Sequence, residues 1–566
     1  MIVEMQHLDL LCLSSEKDSA LAGLRALGVV HLDLAGAGGA EAAAVRGELA
    51  AAEKVVRLVL KAREGLGDSL SSPRQRSVEA VLAIDADREK LKGEAERLRA
   101  EIRECEPYGD FDPTLAQRLL NRGIDLASVA ELPAKLPEMR LSRMREKLER
   151  IENRMAIDVA KIAGTDEVPI LRRYPELRDR LAFAAAKESM AERGVVAVLS
   201  GWVPAPQAAV LRTKAAKSGW GVWLREPAAG ETPPTLVEPP KFFKPVKVLF
   251  AGLGISPAYV EADVSVPFMC YFSLFFAMLV GDGAYGAIFL AVTLWLWRKY
   301  RGLSAAARET NGVLMRSWLV LLTVFSSATV AWGFLSNTWF GAQVPWFQDL
   351  PTARWLGDPS YHNMMFLCFT IGASHLMLAR LWNGVCKLPD STAVAEFGWA
   401  GILLFMYFVT NSIVGIFAGI PTWAFVVFGL SAVAVFGFTV KPRELKAHGA
   451  ELGMLPLNIM SALGDIISYV RLFAVGLASV KVAENFNSMA TGLVTGVESW
   501  WLKAIMALAM VAILVLGHAL NLAMAGLSIL VHAVRLNTLE FSNHKGVSWS
   551  GYAFNPFRKN ARRAGA

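Results

Sequence analysis

The sequence predicts two bodies of different class in one chain. The first is an α+β cytosolic half in which two small α/β lobes are joined by an antiparallel coiled-coil hairpin. The second is an all-α polytopic membrane half of about eight helices, the last two long and tilted. Three observations predict this. The 566 residues are 54% hydrophobic, yet residues 1 to about 262 are charged and alanine-rich, and the long apolar runs and most tryptophans fall between about 266 and 540. Strand and helix periods alternate at both ends of the charged half. Basic residues cluster at alternate ends of the apolar runs. The expected boundaries are a soluble arm at 1–232, with lobes at 1–36 and 194–226 and a helical middle at 40–193. A proline-rich link at 233–265, a membrane domain at 266–541 and a basic cytoplasmic tail at 542–566 follow.

In the arm, residues 1–13 alternate apolar and polar as a strand does, 15–27 read as a short amphipathic helix ending at Gly28, and 29–34 as a second strand. Residues 194–203, 206–218 and 219–224 repeat the pattern. Between them, Val45, Leu49, Ala52, Val56 and Val59, and then Leu91, Ala95, Leu98, Ile102 and Cys105, recur at spacings of four and three. The glycine- and serine-rich stretch 65–73 separates the two rows, so they are expected to close on each other as an antiparallel pair. Residues 143–162 and 175–193 read as further helices, and Pro233, Pro234, Pro239 and Pro240 as an extended connector.

In the membrane half, apolar windows fall near 266–281, 284–297, 314–336, 362–384, 397–417, 421–439, 454–487 and 501–537. Residues 1–7 lack the basic flank and apolar core of a secretory signal, which keeps the arm in the cytoplasm. Arg298, Lys299, Arg301, Arg308, Lys387, Lys441, Arg443 and Lys446, with Arg558, Lys559, Arg562 and Arg563 of the tail, then all lie on that side. The longest opposite loop, 337–362, carries only Arg354. The net charge of +7 is therefore topological and no footprint of nucleic acid. Five scattered cysteines show no metal-ligand spacing and read as core filler, and neither a metal nor a cofactor is expected. The arm has no phosphate-binding loop, dinucleotide fingerprint or nucleophile–histidine–acid set, so any ATP is hydrolysed by another chain.

One residue stands apart. Arg471 lies in the run Ala462 to Ser479, with apolar sequence for several turns on both sides. A guanidinium at membrane depth costs about 2.5–3.5 kcal/mol on the lenient insertion scale and cannot shed its proton. Either something negative passes in front of it, or an internal salt bridge pins two helices. The burial cost favours the first.

Several segments then point one way. They are the stretch Phe275 to Gly286 with its Phe-Phe, Gly-Asp and Tyr-Gly pairs, and Gly333 to Gly341 at the end of the third span. Ser468-Tyr-Val-Arg-Leu472 follows in the seventh span, and Val531-His-Ala-Val-Arg-Leu-Asn-Thr-Leu-Glu-Phe541 ends the eighth. With Gly201 to Pro204, Phe242 to Pro245 and Gly551 to Phe557, the chain resembles, over nearly its whole length, the membrane stator subunit of V-type and A-type rotary ATPases (subunit a, or subunit I in prokaryotes). The resemblance implies a partner ring of proteolipids, each with one intramembrane carboxylate. It also implies two aqueous half-channels, peripheral-stalk coiled-coil subunits on the arm, and an indirect link to the ATP-hydrolysing head and central stalk. Arg471 matches the family's essential arginine and would hold a passing carboxylate ionised. Arg535 matches the second arginine, on a last segment of roughly 40 residues, or about 60 Å of helix, twice the hydrocarbon thickness.

Candidate half-channel lining is Asp465 towards the cytoplasm, Ser468 near the Arg471 face, Ser479 and Glu484 further out, Asn521, and His532 and Glu540 flanking Arg535. Each taken singly is equally open to being a helix–helix contact. Gly281, Asp282, Tyr285 and Gly286 read as a structural hinge or cap in the first hairpin. One departure matters: an acid that the family carries upstream of the second arginine falls where Ala525 stands. The outer path would then use Asn521, His518 or Glu484. A secondary transporter with an arginine anion site, and a purely structural anchor, are the competing readings. The first predicts inverted repeats that are not visible, and the second leaves two deep arginines without a task.

Overall fold

A computed structural model describes residues 1–34, 39–66, 74–122, 136–302, 305–439, 445–495 and 499–559. Glycine-rich 36–38, most of the turn expected at 65–73, and Lys441, Arg443, Arg562 and Arg563 lie outside the described residues. The chain is mostly helical and divides into two compact units, one of His7–Arg225 with Pro556–Ala566 and one of Met1–Gln6 with Glu226–Asn555.

The first unit holds β1 (Met5–Leu13), α1 (Lys17–Leu27), β2 (His31–Leu32), α2 (Ala40–Leu66), α3 (Val78–Cys105), α4 (Pro113–Asn121), α5 (Leu141–Ala163) and α6 (Val168–Ser189). It continues through β3 (Ala191–Arg193), β4 (Val196–Pro204), α7 (Ala208–Ser218) and β5 (Gly221–Arg225). The two strand–helix–strand segments do not build separate lobes: their strands interleave in one sheet of order β2-β4-β1-β5, with β3 on β4. Alternation explains the merger. Leu8, Leu10 and Cys12 of β1 and Ala197 and Leu199 of β4 share one core with Leu21 and Leu24 of α1 and Leu211 of α7. Neither half could bury that face alone.

The two heptad rows also find other partners than each other. Ala95, Leu98, Ile102 and Cys105 of α3 close on Leu141, Met144 and Ile151 of α5. Ala52, Val55 and Val59 of α2 close on Ile162 of α5 and Ile170 and Leu177 of α6. A heptad row specifies an apolar seam, not the helix that fills it, and two later helices with matching seams compete for it. The strut is therefore built from α2, α3, α5 and α6. At its base the Glu188 carboxylate accepts from the Gly39 and Ala42 amides at 2.9 and 3.0 Å.

The second unit holds α8 (Val246–Leu253), α9 (Ser265–Val280), α10 (Gly283–Arg301), α11 (Ala305–Ser336), α12 (Pro351–Leu356), α13 (His362–Lys387), α14 (Thr392–Ile413) and α15 (Thr422–Phe438). It ends with α16 (Leu445–Ile467), α17 (Val470–Gly492), α18 (Trp500–Ser528), π-helical segments at Ile529–Ala533 and Leu536–Phe541, and α19 (Ser542–Lys545). Each apolar window coincides with a helix. Among the described residues five helical stretches are long and apolar enough to cross a membrane: Met315–Ser336, His362–Lys387, Thr392–Ile413, Gly453–Gly492 and Trp500–Lys545. Ser265–Val280 and Thr422–Phe438 are apolar but shorter. The link at 233–265 is not free: Thr235 bridges Ala553, Ile2 bridges Val237, and Val246, Leu249 and Phe250 of α8 join the main apolar core.

Candidate functional site

Arg471 opens α17 directly after a break at Ser468 and Tyr469 that separates it from α16. Its Nη2 lies 3.8 Å from Oε1 of Glu540. Arg535 Nε lies 3.4 Å from the same oxygen. One buried carboxylate thus stands between two guanidiniums, and its other oxygen, Oε2, has no hydrogen-bond partner. The backbone makes this possible. In an α-helix, residues five apart differ by about 140°, which would turn Glu540 away from Arg535. The π-helical turn at Leu536–Phe541 bonds residue i to i+5 and brings the two towards one face. Such turns recur at functional sites. The His532 Nδ1 is also buried near this cluster without a partner.

A second set joins α10, α17 and α18. The Asn521 amide donates to the Tyr285 hydroxyl at 3.1 Å and to the Ser479 carbonyl at 2.9 Å. Ser479 Oγ donates to Asn521 Oδ1 at 3.2 Å. Tyr285 Oη lies 2.8 Å from His518 Nδ1, whose Nε2 lies 3.2 Å from Asn487 Oδ1. Asn521, Ser479 and Tyr285 are buried with all these groups paired, so this network is satisfied where the arginine cluster is not. Ser468 makes only a local bond, donating to the Asp465 carbonyl at 2.7 Å.

A third set surrounds Asp465. Its Oδ2 lies 3.0 Å from His544 Nε2. His544 Nδ1 accepts from Arg380 Nε at 3.1 Å, and Arg380 Nη1 reaches Glu396 at 3.1 Å. Lys387 reaches the other Glu396 oxygen at 2.5 Å. The Lys545 ammonium donates to Asn383 at 2.6 Å and sits over the Trp382 ring. Asp465, Asn458, Ser461, Arg380 and His544 line a cavity of about 440 Å³.

Glu484 is not beside Arg471. It stands roughly 220° around α17 from it, pairs with Lys481 at 2.7 Å, and lines a larger cavity of about 530 Å³ with Gly476, Val480, Tyr361 and Gln343. The hollow at Ala525, about 300 Å³, is lined by Phe276, Val280, Phe289, Leu522, Gly526 and Leu530 and carries no ionisable group.

The first hairpin is built for close approach. Gly281 ends α9 at φ +69°, and a Cβ there would lie 3.2 Å from the Gly476 carbonyl. Asp282 Oδ1 caps α10 by accepting from the Ala284 amide at 2.8 Å, and Oδ2 accepts from the Gly341 amide at 2.7 Å. A Cβ on Gly286 would meet α11 at Val330 N, 2.8 Å away.

Sequence reasoning passed over Arg380, His375, Glu396 and His544. The rule that singled out Arg471 applies equally to Arg380 and His375, both inside the window expected at 362–384. His544 carries no such signal, since it lies past the last apolar window.

These helices and paired intramembrane cations define a membrane protein of an ion-handling class. The chain is 31% identical to V-type ATP synthase subunit I of Borreliella burgdorferi across 64% of its own length and 60% of the relative's. It is 27% identical to V-type ATP synthase subunit I 1 of Treponema pallidum over 99% of this chain and the whole of that one. With A-type ATP synthase subunit I of Methanocaldococcus jannaschii it shares 25% identity over 75% of this chain and 64% of the other. No family model matches. The chain is a homologue of the prokaryotic V-type and A-type ATP synthase subunit I proteins.

Proposed function

We propose that this chain is the membrane stator subunit of a V/A-type rotary ATPase. It forms the two ion half-channels against a proteolipid ring and anchors the peripheral stalk, and catalysis belongs to other subunits. The Arg471–Glu540–Arg535 cluster carries this reading. Two cations share one anion through long contacts, so the site keeps one uncompensated positive charge within helices apolar enough to span a bilayer. An approaching ring carboxylate is the natural partner for it. Opposite charge within about 4–6 Å lowers a carboxylate pKa by roughly 1–3 units, which expels its ion on one side and blocks passage past the arginine.

The Asp465 cavity then serves as cytoplasmic access, and the Glu484 cavity and the Ser479–Asn521–His518 network flank the opposite side. Both termini lie in the cytoplasm, by the basic asymmetry of the connections. The last helix supports a ring beside it, because only 11% of its most apolar window is buried within this chain. Leu508, Val515, Leu516, Leu527 and Leu530 of that stretch point outward, facing lipid or ring.

Arg471→Gln in the assembled complex tests this. ATP-driven acidification or sodium uptake into vesicles should vanish while assembly persists. Arg471→Lys keeps a charge that can deprotonate when buried, so its residual transport should fall as pH rises. Near-normal pumping by the Gln variant would reduce Arg471 to a structural pin. For the arm, replacing residues 46–178 by a short linker cuts the strut above its Glu188 base. The membrane unit should stay folded and the ATPase head should dissociate, whereas a coupled, intact complex would rule out stalk docking.

A further inference from the structure

His375 of α13 is fully buried, and its ring is stacked between Tyr271 of α9, at 3.9 Å between centroids, and Phe541 of the second π-helical turn, at 4.4 Å. Its Nδ1 lies 2.9 Å from the Tyr469 hydroxyl, and its Nε2 has no partner. Tyr469 is itself fully buried, sits in the break between α16 and α17, and meets Phe275 edge-on at 5.9 Å. α13 is shaped to receive it, because a Cβ on Gly372 would lie 2.5 Å from the Tyr469 ring.

The placement matters because of what adjoins each ring. Tyr469 is two residues before Arg471, and Phe541 directly follows Glu540. A single imidazole therefore touches the neighbours of both members of the ion pair, one by a hydrogen bond and one by stacking. The two helices that carry the pair are otherwise joined there by a contact of 3.8 Å, too long for a firm hydrogen bond. A break in a helix leaves the azimuth of the next segment to be fixed by side-chain contacts.

We propose that His375 is the positioning residue of the arginine cluster: through Tyr469 it sets the azimuth of Arg471, and through Phe541 the placement of Glu540. This rests on the reading of Arg471 as the charge that meets the ring carboxylate.

The test uses His375→Phe, Tyr469→Phe and the double variant in the assembled complex, with Arg471→Gln alongside. His375→Phe keeps the ring stack and removes a buried polar group with an unpaired nitrogen, so folding and assembly should not suffer. The readout is ions moved per ATP hydrolysed, which a loss of assembly alone leaves unchanged. Each single variant should lower this ratio about tenfold, the usual cost of a small misplacement at a site that works by position. The double variant should be no worse than either single one, since both remove the same hydrogen bond. Wild-type coupling in His375→Phe, or losses that multiply in the double variant, would overturn the proposal. Arg471→Gln separates the two levels: if it pumps normally the underlying reading has failed. If it is inactive while His375→Phe is fully coupled, only the positioning role is lost.

Discussion

Arg63 of the soluble unit and Arg471 of the membrane unit each face a glutamate, and the chain treats them in opposite ways. Arg63 grips Glu167 with two bonds of 2.8 and 2.5 Å, and its remaining donors reach the Ala163 and Thr165 carbonyls at 3.0 and 2.8 Å. Its fork is filled, and the clasp closes the end of α5. Arg471 and Arg535 share Glu540 at 3.8 and 3.4 Å, with one carboxylate oxygen orphaned. Water would tolerate the second arrangement easily, whereas a bilayer does not, and yet the loose one is in the membrane helices. Satisfaction is a mark of architecture, and its absence at depth is a mark of a group kept ready for a partner.

That contrast can be broken by experiment. The largest effect is expected from Glu540→Gln, which leaves two neighbouring guanidiniums with no shared anion. Coupled transport should fall by at least about tenfold, measured as ATP-driven uptake in vesicles, with melting temperature little changed. A strong loss of stability with normal transport would place Glu540 among the architectural pairs. Next comes Asn521→Ala, which strips partners from Tyr285 and Ser479 in the satisfied network. It should destabilise the chain in detergent by about 1–3 kcal/mol, read from a denaturant or thermal midpoint. Arg63→Ala should cost about 1–2 kcal/mol in the soluble unit without changing ions moved per ATP in complexes that remain assembled.

The smallest effect concerns acid. Hydrogen bonding to Arg63, ahead of that arginine's charge, holds the Glu167 carboxyl below its ordinary range. A carboxyl lowered by folding stabilises the native state above the unfolded range and loses that contribution as pH falls through the folded value. Wild type and Glu167→Gln should therefore differ in melting temperature near neutrality and converge at about pH 3. A gap that persists there would mean that the clasp acts through packing.

How far the sequence could be read differs between the same two regions. The apolar windows located each membrane helix, because roughly 20 apolar residues admit few other structures. The heptad rows located α2 and α3 but not their partners, because α5 and α6 carry seams of the same kind. At the site, burial cost identified Arg471 and Arg535, and a glutamate beside Arg535 was noted from spacing alone. That Glu540 bridges both arginines was not legible, because it depends on a backbone that leaves the 3.6-residue period. The Asp465 set was half visible: Arg380 lies in an apolar window, while His544 comes from a short helix with no periodic signal.

The two π-helical turns carry a consequence for how the last helix is laid out. Each holds one residue more than the α-helical turn it replaces, so the stretch from Ile529 to Phe541 contains surplus chain within an unbroken rod. A reader who counts faces from Trp500 at 100° per residue falls out of phase past Ile529, and out again past Leu536. The surplus is also slack. Tightening one wide turn into an ordinary one would shift Glu540 against Arg535 while the cytoplasmic end at Lys545 stays anchored, which gives a membrane-spanning helix a one-residue adjustment located beside its own charge.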